Sequence, residues 1–125
     1  MFLKKLFGTS STRYIIFISP EIHNINDFYV GLNSKSDQDL VDRTNELKKI
    51  ISDSRNVIKS QFENDLNSKD LKKKILEAEQ KALDSIMIEA FAMVKETCRR
   101  MVGQSFRVSG QNAEWNMIPY DVQLL

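Results

Sequence analysis

Apolar residues recur along the first third of the chain with helical spacing. Ile15, Ile18, Ile22, Ile25, Tyr29 and Leu32 alternate steps of three and four, the stripe of an amphipathic helix. Pro20 falls inside that stripe and disfavours helical geometry at Ser19. The pattern therefore predicts either a kink or a fresh start, with Ser19 as N-cap and Pro20 in the first helical position. Gly31 is expected to close the element. "SKSDQDL" then opens a second helix, with Ser36 as cap and Asp39 three residues on completing a capping box. Leu40, Thr44, Leu47 and Ile51 form its apolar face, and Ile58, Phe62 and Leu66 extend it. "NSKD" reads as a turn, with Ser68 capping a third helix from about Asp70 to Val102. Leu71, Ile75, Ala78, Ala82, Ile86, Ala90, Val94 and Cys98 line one side of that helix. Within it, "IMIEAFAMV" is apolar nearly all round and calls for burial on more than one side. Asp84 or Ser85 offers an alternative cap that would split the helix in two.

Past Gly103 the period shortens to two. In "SFRVSGQNAEWNM" side chains alternate about a four-residue "SGQN" loop, which predicts a β-hairpin. Pairing Val108 with Ala113 sets Arg107 opposite Glu114 and Phe106 opposite Trp115, an ion pair and an aromatic pair on opposite faces. Between Gly31 and Gly103 there is neither glycine nor proline, so nothing interrupts long helices there. The polar stretch from Ser52 to Lys69 is the expected place for a turn or a mobile segment. The fold class is mainly α: long helices plus one β-hairpin.

Composition narrows the function classes. A chain of 125 residues, 42% hydrophobic and 28% charged, suits one folded domain and argues against disorder. A net charge of +1 supplies no field to draw in nucleic acid, and none is expected as a partner. The single cysteine, Cys98, excludes an internal disulfide and fits a reducing compartment. "YIIFIS" is far shorter than the roughly 20 apolar residues that span a bilayer. A secretory signal is disfavoured by the polar breaks in the first 22 residues, so the reading is cytoplasmic.

No enzyme motif is present. A P-loop wraps phosphates with backbone amides while a lysine neutralises them, and no glycine here precedes a lysine. His23 and Cys98 stand too far apart for metal-ligand spacing, leaving a helix-surface histidine and a small core residue. Carboxylates are spread along faces expected to be solvated, and "LKKKI" and "CRRM" are likewise read as solvated faces, with a nucleic-acid or lipid contact as the lesser alternative. In the leader "MFLKKLFG", Phe2, Leu3, Leu6 and Phe7 surround Lys4 and Lys5. That segment either lies in an anionic membrane interface or frays and docks its apolar residues on the protein.

Four stretches, in order, carry a family resemblance: "LKKLFG", "KSDQDLVDRTNELK" from Lys35, "EAFAMVKETCRRMVG" from Glu89, and the closing "IPYDVQLL". Together they resemble the N-terminal region of SecA, the ATP-driven motor of the bacterial preprotein translocase. The segment "QSFRVSGQNAEWNM" is similar to the form found in SecA of the Bacteroidetes group. The resemblance implies a fragment of a longer motor, continuing into a Gly-Gly pair, a helix and a P-loop. It implies one partial domain, the lead-in to a RecA-like α/β nucleotide-binding domain. Its layout is a leader over 1–8, a helical region over 9–102, a hairpin over 103–117 and the start of the Q-motif helix over 118–125. Asp-Val-Gln is similar to the adenine-reading Q motif of such motors. Gln123 is then the base-reading residue, because its amide sets one donor beside one acceptor, matching N7 and the N6 amine of adenine. Tyr120, Pro119 and Ile118 are expected to supply apolar contact, and Asp121 to cap the helix that Leu124 and Leu125 begin.

For the parent motor the resemblance implies ATP and Mg2+ as cofactors. SecYEG, preproteins and anionic lipid would be its partners, and its place the cytoplasm, peripherally at the inner membrane. This chain alone, lacking the P-loop, is expected to be inactive as an ATPase. A different class remains open from sequence: a free-standing helical interaction protein tethered to membrane by residues 1–7.

Overall fold

A computed structural model describes residues 10–65 and 67–124. Among them the chain forms α1 (Ser10–Leu32), α2 (Asp37–Phe62), α3 (Ser68–Met101), β1 (Ser105–Val108), β2 (Gln111–Glu114) and a closing 3₁₀ turn (Asp121–Leu124). The mainly α architecture with one hairpin is as expected. The leader over 1–8 lies outside the described residues, as do Leu66 and Leu125. No helix among the described residues is long and apolar enough to cross a membrane.

Two compact units are distinguished. Residues up to Asn33 and from Phe91 onward form one, and Ser34–Ala90 form the other.

In the second unit α2 starts on the predicted capping box. Ser36 Oγ accepts from Asp39 N–H at 3.1 Å, and Asp39 Oδ2 accepts from Ser36 N–H at 2.9 Å. The bond from the Ser36 backbone, reinforced by its hydroxyl, holds the Asp39 carboxyl below its ordinary pKa. Leu40 and Leu47 are buried, and Ile51, Ile58 and Phe62 are half-buried along the same stripe. The turn expected within the polar stretch from Ser52 to Lys69 comes late in it: α2 runs on to Phe62, its half-buried Ile58 and Phe62 keeping the helical period. Residues 63–67 then turn the chain. Cross-helix contacts follow in antiparallel order: Arg43 to Glu89 (2.6 Å), Arg55 to Glu79, and Lys74 Nζ 4.8 Å from the Phe62 ring centre. This is an αα-hairpin, and Ala82 and Ile86 of α3 are buried within the same unit.

Two expectations about α3 are corrected. The cap is Asn67 and not Ser68: Asn67 Oδ1 accepts from the backbone N–H groups of Lys69 and Asp70, both at 3.0 Å. Asn67 Nδ2 also donates to Asp70 Oδ2 at 2.7 Å, so the side chain serves both as cap and as clamp. Nor does the helix break at Asp84 or Ser85. Ser85 Oγ donates to the carbonyl of Ala82, satisfying its hydroxyl inside a continuous 34-residue helix.

In the first unit α1 passes through Pro20 without a fresh start, so Ser19 is no cap. The helix also runs one residue past Gly31, to Leu32. Ile25 and Leu32 are buried, as the stripe requires, while the side chains of Ile15 and Ile18 lie outside the described set. From α3 this unit buries Ala92, Met93 and Cys98, whereas Val94, placed on the inner face by spacing, is exposed. From Ala78 the extrapolated stripe runs in steps of four, each overshooting a full turn by about 40°, so it does not keep to one face as far as Val94.

The hairpin exists but in another register. Phe106 pairs with Ala113, Arg107 with Asn112 and Val108 with Gln111, so the loop has two residues and not four. Ser109 (φ 50°) and Gly110 (φ 82°) both take the left-handed conformation, the signature of the tight turn whose twist matches paired strands. The shift of two residues preserves which side chains share a face. Phe106 and Trp115 thus still meet, diagonally, with ring centres 6.4 Å apart, but Arg107 loses Glu114 as a partner. The ladder continues beyond β1 and β2, with Trp115 N–H donating to the Gln104 carbonyl and Gly103 N–H to the Trp115 carbonyl, both at 2.9 Å.

Candidate functional site

The closing segment is positioned by the hairpin before it and by two helices of the same unit. Trp115 Nε1 donates to the carbonyl of Met117 at 2.7 Å, which bends the chain out of the ladder. Ile118 and Tyr120 are exposed and Pro119 is half-buried; Tyr120, at 75% exposure, presents a nearly free ring. A 3₁₀ turn follows over Asp121–Leu124. Gln123 holds that turn shut. Its backbone N–H donates to the Tyr120 carbonyl at 2.8 Å, and its side-chain Oε1 accepts from Tyr120 N–H at 2.8 Å. The amide is thereby anchored through one lone pair of its oxygen, leaving a second lone pair and the Nε2 donors on an exposed residue.

Asp121 does not cap a helix; it is the first residue of the turn, and its carboxylate reaches back to α1 and α3. Asp121 Oδ1 accepts from Asn26 Nδ2 at 3.1 Å and lies 3.4 Å from Lys95 Nζ. Lys95 also donates to Asn26 Oδ1 at 2.6 Å and sits 4.9 Å from the centre of the Tyr29 ring. The Asn26 hydrogen bond, with Lys95 behind it, holds the Asp121 carboxyl below its ordinary pKa.

Beginning at the next residue of α3 is a second polar cluster, around Glu96, whose side chain is only 1% exposed. Glu96 Oε1 accepts from Arg99 Nη2 and Arg100 Nε, each at 2.7 Å, and Oε2 accepts from Arg99 Nε at 2.9 Å. Arg100 Nη2 donates onward to the carbonyl of Leu32 at 3.1 Å, taking up a carbonyl at the end of α1. Arg99 Nη2 reaches Asn33 Oδ1 at 3.3 Å. Hydrogen bonds from Arg99, then Arg100, outweigh the penalty of burial and depress the Glu96 pKa. An open cleft of about 260 Å³ lies beside this cluster, lined by Tyr29, Val30, Asn33, Glu96 and Arg99.

"CRRM" is therefore no free solvated face, and Glu96 is no solvated carboxylate. Glu96 with Arg99 and Arg100 was legible as an i, i+3, i+4 pattern, though its burial was not. Nothing in the sequence joins Asn26 to Lys95 and Asp121. His23 stays on the helix surface beside Asp27, and Cys98 is a small buried residue, both as expected. No group of three or more His, Cys, Asp or Glu that could hold a metal occurs among the described residues. The leader residues Phe2, Leu3, Lys4, Lys5, Leu6 and Phe7 lie outside the described set.

Comparison with known proteins assigns the family. The profile described as SecA DEAD-like domain matches residues 3–125. The protein translocase subunit SecA of Chloroherpeton thalassium is 36% identical over 142 aligned positions, covering 99% of this chain and 14% of that protein. The protein of the same name from Prosthecochloris aestuarii is 37% identical, covering 97% of this chain and 14% of its own length. That of Chlamydia felis is 32% identical, covering 99% and 10%. No solved structure matches the chain. The match takes in nearly the whole of this mainly α chain with its one hairpin, and makes it part of a SecA DEAD-like domain. The chain belongs to the SecA family, and spans about one seventh of the length of the relatives from Chloroherpeton and Prosthecochloris.

Proposed function

We propose that this chain is the N-terminal part of a SecA motor that hydrolyses ATP to drive preproteins through the SecYEG channel. Its own contribution is the adenine-reading Q motif. One observation carries the reading: within a chain matched to the family over 3–125, Gln123 is pinned by its oxygen with its donors on an exposed residue, next to the open Tyr120 ring. The residues fit one edge of adenine. Nε2 donates to N7, and the second lone pair of Oε1 accepts from the N6 amine. Tyr120, Pro119 and Ile118 offer apolar surface to the base. The chain's sequence holds no loop to cradle phosphates, so the phosphate and Mg2+ contacts belong to the rest of the motor. ATP, when bound, supplies the phosphoanhydride whose cleavage drives the cycle. On this reading the chain's residues orient the base within the whole motor; the chain by itself binds nucleotide at most weakly and turns nothing over. Lys4 and Lys5 with the apolar leader residues attract anionic lipid and place the motor peripherally at the inner membrane, on its cytoplasmic side.

The test uses ATP and GTP affinities of the full-length motor, measured by calorimetry. Gln123→Ala removes both contacts to the base, a loss of roughly 1–3 kcal/mol or about ten- to a hundredfold in ATP affinity. Guanine carries an acceptor at O6 where adenine carries a donor, so the preference for ATP over GTP falls with it. Gln123→Glu separates base reading from turn closure. It keeps an oxygen for Tyr120 N–H and for N6 but loses the donor to N7, so affinity drops while the preference survives. An unchanged ATP-to-GTP ratio in Gln123→Ala would show that Gln123 does not read the base.

A further inference from the structure

We infer that Asn26, Lys95 and Asp121 form a positioning triad that sets the Gln123 amide for the base. The inference rests on the reading of Gln123 given above. Three chain segments far apart in sequence converge here, from α1, α3 and the 3₁₀ turn, all within one compact unit. The donor pattern is forced by chemistry. Lys95 can only donate, so Asn26 turns its oxygen to Lys95 (2.6 Å) and its Nδ2 to Asp121 (3.1 Å). Asp121 can only accept, and the same Oδ1 takes the Asn26 amide and faces the Lys95 ammonium at 3.4 Å. Lys95 is itself held over the Tyr29 ring, one helical turn from Asn26, and its side chain is only 14% exposed. The ammonium is thus a nearly covered post, with the asparagine as the link between it and the turn.

Two residues beyond Asp121, Gln123 closes the same turn through Tyr120 N–H. Nothing in the 3₁₀ turn itself ties it to the helices except the Asp121 carboxylate, among the bonds seen in the described residues. Asp121 and Gln123 belong to one four-residue turn, so the hold on Asp121 bears directly on where the Gln123 amide stands. Placement errors of an ångström or less are enough to weaken a two-point hydrogen-bonded contact.

The inference is tested by exchanging the partners. Asn26→Asp is isosteric and still accepts from Lys95, but sets a carboxylate against Asp121. In the double variant Asn26→Asp/Asp121→Asn the amide and the carboxylate trade places, which restores one donor–acceptor link and one ammonium contact. In the full-length motor, Asn26→Asp should weaken ATP binding by about three- to tenfold and lower the ATP-over-GTP preference. Hydrogen exchange over residues 118–124 should rise without nucleotide. The double variant should recover both. A residue that only stabilised the fold would lower the melting temperature and leave the preference ratio alone. An unchanged ratio in Asn26→Asp, or a double variant no better than the single one, overturns the triad. Failure of the base-reading site itself is distinguishable, because Gln123→Ala would then leave the ratio unchanged as well.

Discussion

Replacing Glu96 by glutamine cuts the most buried ionic contact of the described chain, and its cost can be worked from the geometry. The carboxylate accepts three N–H groups from two guanidiniums at 2.7, 2.7 and 2.9 Å. Glutamine keeps one oxygen, turns an NH₂ against a guanidinium and removes the charge between two adjacent cations. Breaking a fully buried pair costs about 3–5 kcal/mol, and an exposed one about 0–1. Here Glu96 is 1% exposed, Arg100 19% and Arg99 40%, so Arg99 rehydrates readily while Arg100 does not. The expected loss for Glu96→Gln is roughly 2 kcal/mol at pH 7, between those limits. Urea unfolding followed by far-UV circular dichroism reads it as a lower midpoint at unchanged slope. Coupling to Arg100→Met in a double-mutant cycle should exceed about 0.5 kcal/mol, since the two side chains touch. The sign with pH is also set. The folded-state pKa of Glu96 lies below its ordinary value of 4.5, so its stabilisation is complete above that value and is lost as pH falls through the folded pKa. The wild type's advantage over Glu96→Gln should therefore shrink below pH 4.5. A difference under about 0.5 kcal/mol at neutral pH, or one that does not narrow in acid, would refute the reasoning.

Further outcomes are open to direct measurement. Ser36→Ala removes the α2 cap that accepts from Asp39 N–H, and should cost about 1 kcal/mol in the same urea assay. Ser109→Asn places the residue best suited to a left-handed turn before Gly110, and should stabilise the hairpin by a few tenths of a kcal/mol or more. Gly110→Ala, forced to φ 82°, should fray it, with Trp115 fluorescence reporting both changes. Deleting residues 1–7 should reduce co-sedimentation with anionic vesicles at low salt, each lysine near the surface being worth about 1 kcal/mol; unchanged co-sedimentation refutes the lipid contact.

Local chemistry was enough to determine much of this protein. Helical periodicity placed Ile25, Leu32, Leu40, Leu47, Ala82, Ile86 and Cys98 in the core, because burial of an amphipathic helix depends only on its own stripe. The Ser36–Asp39 capping box was legible because both partners lie within one turn. The hairpin was legible from its alternation, and the shared face of Phe106 and Trp115 survived an error of two residues in register. Register itself was decided by the left-handed conformations of Ser109 and Gly110, which select a two-residue loop over a four-residue one. Where sequence stripes failed, they failed at a distance. Pro20 is carried inside a helix whose other bonds and buried face outweigh one missing donor, and Val94, reached by repeated steps of four along α3, falls outside the buried face. The base-reading candidate Gln123 could be named from a short motif, but not that its oxygen closes its own turn. Least visible were Glu96 as a covered charge and the convergence of Asn26, Lys95 and Asp121. The latter's contacts span 69, 26 and 95 positions of sequence, and no local pattern carries information across such separations. Periodicity and capping are properties of one turn of chain, so sequence determines them; which polar groups meet in a covered site is a property of how the helices come together, and only the tertiary structure decides it.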